Sequence, residues 1–132
     1  MTGLPYTIWQ QLSHMTYWMD YELRRIRGQR PAYPEHAAES WPTDAAPSEA
    51  EWREAVEQFG ALIKEYAALG QSPGDELRRQ IEPMHQVDKH HSSTLSAILW
   101  QMVAHNSYHT GQIVMLRRAI GMWPPRCGGD TW

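Results

Sequence analysis

The sequence predicts an all-α protein built from three long helices, and three observations favour that class. Three long stretches carry apolar residues at steps of three and four, the period that places side chains on one face of an α-helix. The first and the last of these stretches end in basic residues followed by a glycine, which is typical of a helix C-terminus. The middle stretch opens with Ser48-Glu49-Ala50-Glu51, a capping-box pattern that marks a helix N-terminus.

The first helix is predicted from Pro5 to Arg27, because proline is tolerated in an opening turn and Gly28 follows a basic last turn. Its core stripe consists of Ile8, Leu12, Met15, Met19, Leu23 and Ile26. His14 lies on a second face, about 100° around the axis from Met15. That face is partly aromatic and also carries Gln11, Trp18 and Tyr21. Taken alone, His14 is more typical of a surface or boundary histidine than of a metal ligand.

Residues 29–47 are predicted to form a long connection, since they include four prolines. Loops of this length inside a compact domain are uncommon and often functional. We expect Tyr33 and Trp41 to hold this loop against the helices, and His36 to face solvent.

The second helix is predicted from its N-cap Ser48 to Leu69, with Gly70 at its end. Its apolar stripe consists of Trp52, Ala55, Val56, Phe59, Leu62, Ile63, Tyr66 and Leu69. Residues 71–93 have weak periodicity, and a short helix is predicted within them over Asp75–Ile81, stopped by Pro83.

A cluster of potential metal ligands precedes the third helix, namely His85, Asp88, His90 and His91. No predicted helix or strand fixes the geometry of this cluster, so a polar loop is the favoured interpretation. The third helix is predicted over Thr94–Ile120, capped by Ser92, Ser93 or Thr94 and ended by Gly121.

Two histidines interrupt the apolar face of the third helix, which otherwise carries Leu95, Ile98, Met102, Ile113, Leu116 and Ile120. His105 and His109 are four residues apart, so they lie one above the other on the inward face. Two imidazoles in this arrangement can bind one metal ion. The alternative is one hydrogen-bonded core histidine and one half-exposed histidine, which a bare HxxxH pattern by itself favours.

Composition narrows the class of protein. A chain of 132 residues is expected to form one domain, residues 1–132. A net charge of −3 without a basic block argues against nucleic acid as a partner. No apolar run approaches the roughly 20 residues that span a bilayer, so no membrane association is expected. The only cysteine, Cys127, cannot form an internal disulfide, which suits a cytoplasmic protein.

Several segments together resemble the DinB-like family. They are Ser13-His14-Met15-Thr16-Tyr17-Trp18, His105-Asn106-Ser107-Tyr108-His109-Thr110-Gly111-Gln112-Ile113, Leu116-Arg117-Arg118, Gly121-Met122-Trp123-Pro124-Pro125 and Gly129-Asp130-Thr131-Trp132. The loop segment Pro34–Pro42 is similar to one subgroup of that family. The resemblance spans nearly the whole chain, and its most specific parts are the HxxxHxGQ block and the histidine on the first helix.

The resemblance implies a DinB-like up-and-down helical bundle that holds a divalent metal ion with three histidines. Residue by residue, these ligands are His14, His105 and His109, so the resemblance reverses the interpretation of His14. The family includes metal-dependent thiol S-transferases that use bacillithiol, mycothiol or glutathione, a maleylpyruvate isomerase branch, and many members without a known activity. Most are cytoplasmic, and many are homodimers.

The sequence departs from the family pattern at its start, where a helix that precedes the first histidine helix in the family has no counterpart. The first helix has two apolar sides, and both require burial. We therefore expect either a homodimer or a fourth helical element formed by residues 71–91.

Three imidazole ligands leave coordination positions open, as in catalytic metal sites. Nitrogen ligands suit Zn, Ni or Fe, and such an ion activates either a bound water or a bound thiol. The second ring nitrogens require acceptors, for which Ser13, Asp20, Asn106 and Gln112 are candidates. Tyr17, Trp18 and Tyr108 are candidates for the pocket that leads to the metal ion, although core packing explains them equally well.

The predicted function is a metal-dependent S-transferase that joins a low-molecular-weight thiol to a small electrophilic molecule. One alternative is a non-catalytic metal-binding or stress-associated helical bundle. A metal-dependent hydrolase is the other, although no carboxylate stands beside the histidines as it does in the HExxH peptidases.

Overall fold

The computed structural model describes residues 6–43, 45–82 and 93–128. Its three long helices are α1 (Ile8–Ile26), α2 (Glu49–Gly70) and α4 (Leu95–Ala119), and a single-turn helix α3 spans Gly74–Leu77. A 3₁₀ turn covers Ala37–Ser40, and a two-stranded sheet joins β1 (Gln80–Ile81) to β2 (Ser93–Thr94). The all-α class and the three predicted long helices are confirmed. None of the described helices has both the length and the apolar character that a bilayer span requires.

The helix boundaries follow from local chemistry. Helix α1 begins at Ile8 rather than Pro5, because Thr7 and Gln10 form a reciprocal capping box. Ser48 and Glu51 form the predicted capping box of α2. Thr94 is the N-cap of α4, and its side chain accepts from the amide of Ala97. Both α1 and α4 end before a glycine that adopts a left-handed conformation: Gly28 at φ 80° and Gly121 at φ 72°.

Helix α1 is the centre of the molecule and packs against both α2 and α4. One core cluster consists of Met19, Leu23, Leu62 and Met102, which come from all three long helices. A second cluster consists of Ile26, Ile81, Leu95 and Ile98. The predicted core stripe of α1 is therefore confirmed at all its positions except Ile8, which is half-buried.

Helix α2 is buried much less than its sequence predicts. Of its apolar stripe only Leu62 is buried, whereas Val56 is 46 % exposed and Ile63 is 44 % exposed. On α4, Ile113 is half-buried and Ile120 is exposed. Single faces of both helices meet α1, and much of the remaining apolar surface contacts solvent.

The segment after α2 differs from its prediction. The helix expected over Asp75–Ile81 ends at Leu77, and residues 80–81 instead pair antiparallel with residues 93–94. An extended conformation carries Ile81 into the second core cluster, where it is 2 % exposed. No fourth long helix forms within the described part of residues 71–91, and the cluster His85, Asp88, His90 and His91 lies outside the described residues.

Candidate metal centre

Helices α1 and α4 pack so that three histidines meet at their interface. The ring centroid of His14 lies 5.2 Å from that of His105 and 4.8 Å from that of His109. The centroids of His105 and His109 are 4.6 Å apart, as their spacing of four residues on α4 predicts. One nitrogen of each ring lies within 4.8 Å of the others, close enough for all three to hold one metal ion. His14 and His109 are buried, and His105 is half-buried.

The second nitrogen of His14 is held by the long loop. Its Nδ1 atom lies 3.2 Å from the backbone oxygen of Ser40, which is 4 % exposed. A carbonyl oxygen only accepts hydrogen bonds, so Nδ1 carries the hydrogen and donates it. The neutral ring then has an unprotonated Nε2 atom, which is free to bind a metal ion.

The two histidines of α4 have acceptors at the same ring position. The Nδ1 atom of His109 lies 2.5 Å from Oε1 of Gln11 and 3.2 Å from Oε1 of Gln112. The Nδ1 atom of His105 lies 3.4 Å from Oδ1 of Asn106. Each ring therefore presents Nδ1 to an oxygen and keeps Nε2 for the centre of the cluster, as metal-bound histidines commonly do.

The Nε2 atoms of His14 and His105 face each other at 3.3 Å. In the tautomer in which both rings donate through Nδ1, neither Nε2 carries a hydrogen, and two lone pairs meet at this distance. A cation between the atoms would turn that repulsion into attraction. A tetrahedral ion with nitrogen bonds of 2.0–2.1 Å separates two ligand atoms by roughly 3.3–3.4 Å, which agrees with the observed spacing.

Burial keeps all three imidazoles neutral. The pKa of His14 is lowered from 6.5 to about 4, mainly by desolvation; the hydrogen bond to Ser40 opposes this shift, and the nearby His109 and His105 add to it. Burial also lowers the pKa of His105 and the pKa of His109. A neutral ring is the form that binds a metal ion, so the site is prepared for metal at neutral pH without displacing a proton.

Aromatic rings surround the cluster. The indole of Trp41 stacks on His14 with a centroid separation of 3.8 Å and also lies 5.7 Å from His109. The predicted pocket residue Trp18 meets His14 edge-on at 6.4 Å, and Tyr108 lies 5.0 Å from His109 while 64 % exposed. The third predicted pocket residue, Tyr17, packs against Trp18.

The sequence analysis found some partners of the histidines and missed others. The structure brings Gln112 and Asn106 to His109 and His105, as proposed. By contrast, Ser13 and Asp20 line a cleft of about 580 Å³ along α1 and α2, and neither forms a hydrogen bond to a histidine among the described residues.

The missed contributors are the Gln11 side chain, the Ser40 backbone oxygen and the Trp41 indole. Gln11 had been placed on the His14 face, three residues away, so that spacing was a usable signal. The sequence carries no comparable signal for a backbone oxygen. Trp41 and Tyr33 do hold the loop against the helices as expected, Tyr33 by contacts to Trp18 and Tyr21. His36 is exposed, also as expected.

A model of the DinB family matches residues 5–130, which is most of the chain. The chain belongs to the DinB family. No curated protein and no solved structure gives a significant match.

In this DinB-family chain, the ligand cluster found among the described residues contains only the three histidines, without Cys, Asp or Glu. Such a neutral set leaves the full charge of a divalent ion available to an anionic ligand.

Proposed function

We propose that this DinB-family protein binds one divalent metal ion, Zn, Ni or Fe, through Nε2 of His14, His105 and His109. The observation that carries the proposal is the 3.3 Å separation of the Nε2 atoms of His14 and His105, with the Nδ1 atom of each ring beside an oxygen. With Nδ1 as the donor on both rings, no hydrogen lies between the two Nε2 atoms, and a cation can bind both.

The activity that we propose is a metal-dependent S-transferase. It joins a low-molecular-weight thiol of the bacillithiol, mycothiol or glutathione type to a small electrophile. A bound divalent ion supplies Lewis acidity that lowers the pKa of a thiol and favours its thiolate form. Three neutral ligands support this role, because they do not offset the charge that attracts an anionic sulfur. The thiol loses its proton to solvent, the sulfur forms a bond to the electrophilic carbon, and a leaving group departs with its electron pair.

The residues around the cluster favour one direction from which a substrate can approach the metal ion. His105 is the least buried of the three ligands, and the exposed ring of Tyr108 lies on the next turn of α4. Trp41 covers the face of His14. We expect substrates to enter on the His105 side, between Tyr108 and Trp18.

A non-catalytic metal-binding bundle is the competing function, and the close stacking of Trp41 on His14 favours it, because the indole reduces access to the cluster. A hydrolase would use the same ligands to activate water. It is less well supported, because no carboxylate that could act as a general base belongs to the cluster within the described residues.

Elemental analysis of untagged protein, wild type beside His105→Ala, tests metal binding first. We expect about one ion per chain in the wild type and a large loss in the variant. Conjugation of a generic aromatic electrophile is then measured with each thiol and each metal. A fully loaded protein that turns over no combination would leave the non-catalytic bundle as the function, whereas hydrolysis without thiol would favour the hydrolase.

We also propose that the protein is a cytoplasmic homodimer that pairs through α4. From Leu95 to Leu116 this helix has no Asp, Glu, Lys or Arg. A helix with apolar side chains on more than one face normally buries each of them. Apolar residues of α4 instead line a groove of about 980 Å³ together with residues of α2. The exposed apolar residues of this groove are Ile63, Trp100, Val103 and Met115.

A second copy suits this groove because an isologous contact needs a surface that complements itself. Trp100 is 74 % exposed, and Gly111 has no side chain and open space where a Cβ would lie, so another helix can approach the α4 backbone there. The two residues are eleven positions apart on one helix. Antiparallel pairing of two α4 helices would place each Trp100 against the Gly111 of the other copy.

A further inference from the structure

The long loop contributes two groups to the metal centre through one short segment, residues 36–42, which we term the site loop. Within it, the Ser40 backbone oxygen accepts from Nδ1 of His14, and the Trp41 indole covers the face of the same ring. These contacts join residues 26 and 27 positions apart in sequence. The loop therefore determines both the tautomer and the plane of His14.

The stacking around Trp41 is extensive. Tyr6 stacks on Trp41 at 3.9 Å with an interplanar angle of 9°, and Trp41 stacks on His14 at 3.8 Å with an angle of 7°. Three nearly parallel rings thus lie in one column at the start of α1. The edge of Trp41 also approaches His109, so it contacts two of the three candidate ligands. Indole offers no lone pair to a metal ion, so its role is to position the ligands.

The conformation of the site loop is fixed by its own hydrogen bonds. The Trp41 amide donates to the oxygen of Ala38 at 3.0 Å, and the Ser40 hydroxyl donates to the oxygen of Ala37 at 2.8 Å. These bonds form the 3₁₀ turn that directs the Ser40 oxygen toward α1. The side chain of Gln10 donates to the oxygen of Pro42 at 3.1 Å and anchors the end of the segment.

Without metal, the orientation of His14 depends on the loop, and the position of the loop depends on His14. A metal ion bound to Nε2 fixes the ring from its other side. The ring then presents Nδ1–H and one flat face in the orientation that Ser40 and Trp41 contact. Because binding free energies are reciprocal, whatever a bound ion contributes to loop closure, loop closure contributes to ion binding.

We propose that Trp41 is a positioning residue of the metal centre, and that closure of the site loop and metal binding stabilise each other. This inference rests on the proposed metal binding by His14, His105 and His109. It goes beyond that proposal because it assigns part of the metal affinity to a loop that supplies no ligand. The loop becomes a third component of the site, beside α1 and α4.

Calorimetric titration with Zn²⁺ of the full chain and its variants tests the inference. We expect Trp41→Leu to weaken Zn²⁺ binding about tenfold, in the range found for groups that orient metal ligands. Trp41→Phe keeps an aromatic face on His14 and should recover most of that loss. The matched control is Trp52→Leu, a tryptophan on α2 that contacts Trp9 and is 36 % exposed. It should bind Zn²⁺ within about twofold of the wild type.

Hydrogen exchange gives a second readout that does not depend on activity. In the wild type, Zn²⁺ should slow exchange at the amides of Glu39 and Trp41, which donate to loop oxygens. In His105→Ala, which keeps the loop but loses a ligand, added Zn²⁺ should have no such effect. Circular dichroism of each variant checks that the helices remain folded, and the exchange comparison of the wild type with His105→Ala carries the test if Trp41→Leu unfolds.

The outcomes separate this inference from the proposed function. Tight Zn²⁺ binding by the wild type, with equal binding by both Trp41 variants and unchanged loop exchange, would overturn the positioning role and leave the metal site intact. If the wild type binds none of Zn²⁺, Ni²⁺ and Fe²⁺ after reconstitution, the proposed metal site is wrong and the coupling falls with it. Weakened binding by Trp41→Leu together with rescue by Trp41→Phe supports both.

Discussion

The Nδ1 atom of His109 lies 2.5 Å from the Oε1 atom of Gln11, and this contact joins α4 to α1 at the centre of the histidine cluster. Gln11 is 3 % exposed and lies one turn before His14 on the same helix. One turn of α1 therefore supplies both a candidate ligand and the acceptor that orients another. The geometry of the cluster depends on how the two helices pack.

Substitution of Gln11 should weaken metal binding while all three ligands remain. We expect Gln11→Leu to lower Zn²⁺ affinity by about 10- to 100-fold, because His109 loses its nearest acceptor. The loss should fall near the lower value, since Gln112 still lies within reach at 3.2 Å. Calorimetric titration measures the effect, with the exposed Gln58→Leu on α2 as control. Equal affinities of Gln11→Leu and the wild type would contradict the role of Gln11.

Zinc should stabilise the native fold, because it binds the folded chain through three residues that only the fold brings together. At a free concentration of 100 times Kd, mass action adds about 2.7 kcal/mol to the free energy of unfolding. For a chain of this size that raises Tm by roughly 10 °C. Thermal unfolding followed by circular dichroism measures the shift. His14→Ala and His109→Ala should show little shift, and a full shift in either would exclude that residue as a ligand.

The metal-free protein should lose stability as the pH falls. Burial lowers the pKa of His14 in the folded state to about 4, against 6.5 for an ordinary histidine. Between these values the unfolded chain binds more protons, so the stability present above pH 6.5 is lost progressively toward pH 4. His105 and His109 shift in the same direction.

Urea unfolding of the metal-free protein at several pH values checks this expectation. His14→Gln should reduce the slope of stability against pH, whereas the exposed His36→Gln should leave it unchanged. A stability that is constant from pH 7 to pH 4.5 would contradict the neutral buried cluster.

The buried ion pair of α1 should be sensitive to the loss of one member. Glu22 is 1 % exposed and accepts from Arg25 at 2.6 Å, and Arg25 also donates to the backbone oxygen of Glu82 at 2.7 Å. Burial raises the pKa of Glu22 although Arg25 opposes the shift. Removal of Arg25 leaves a buried carboxyl group without its partner, so Arg25→Met should cost about 3–5 kcal/mol.

Replacing both members should be less harmful than replacing one, since the double change Glu22→Leu with Arg25→Met leaves no unpaired charge. Denaturant unfolding of the two single variants and the double variant measures the coupling. If the double variant is less stable than Arg25→Met, the ion pair itself stabilises the fold, and its two members do more than neutralise each other's charge.

The proposed dimer depends on the groove face of α4. Val103→Glu places a charge in that face, and Gly111→Leu adds a side chain whose Cβ lies in open space within the same chain. Both should convert a dimer to a monomer in light scattering. Val56→Glu introduces the same charge at an exposed position of α2 that does not line the groove and should remain dimeric. A folded, monomeric wild type would show that the dimer proposal is wrong.

Local signals predicted the helices well. The capping box at Ser48, the threonine cap at Thr94 and the glycines after α1 and α4 operate within one or two helical turns, so the sequence contains all the partners involved. The proximity of His105 to His109 was predictable for the same reason, since a separation of four residues fixes it. His14 was assigned by resemblance to a family, because no local rule relates residues on separate helices.

The sequence by itself therefore determined the three long helices, the inward face of α1 and the pair of histidines on α4. The tertiary structure decided which atoms complete the site: the Gln11 side chain, the Ser40 backbone oxygen and the Trp41 ring all reach the cluster across helices or from a long loop. It also decided that Ile81 enters the core on a strand and that much of α2 remains exposed. The physical reason is that helix caps and periodicity depend on neighbours in sequence, whereas burial and distant hydrogen bonds depend on how helices pack.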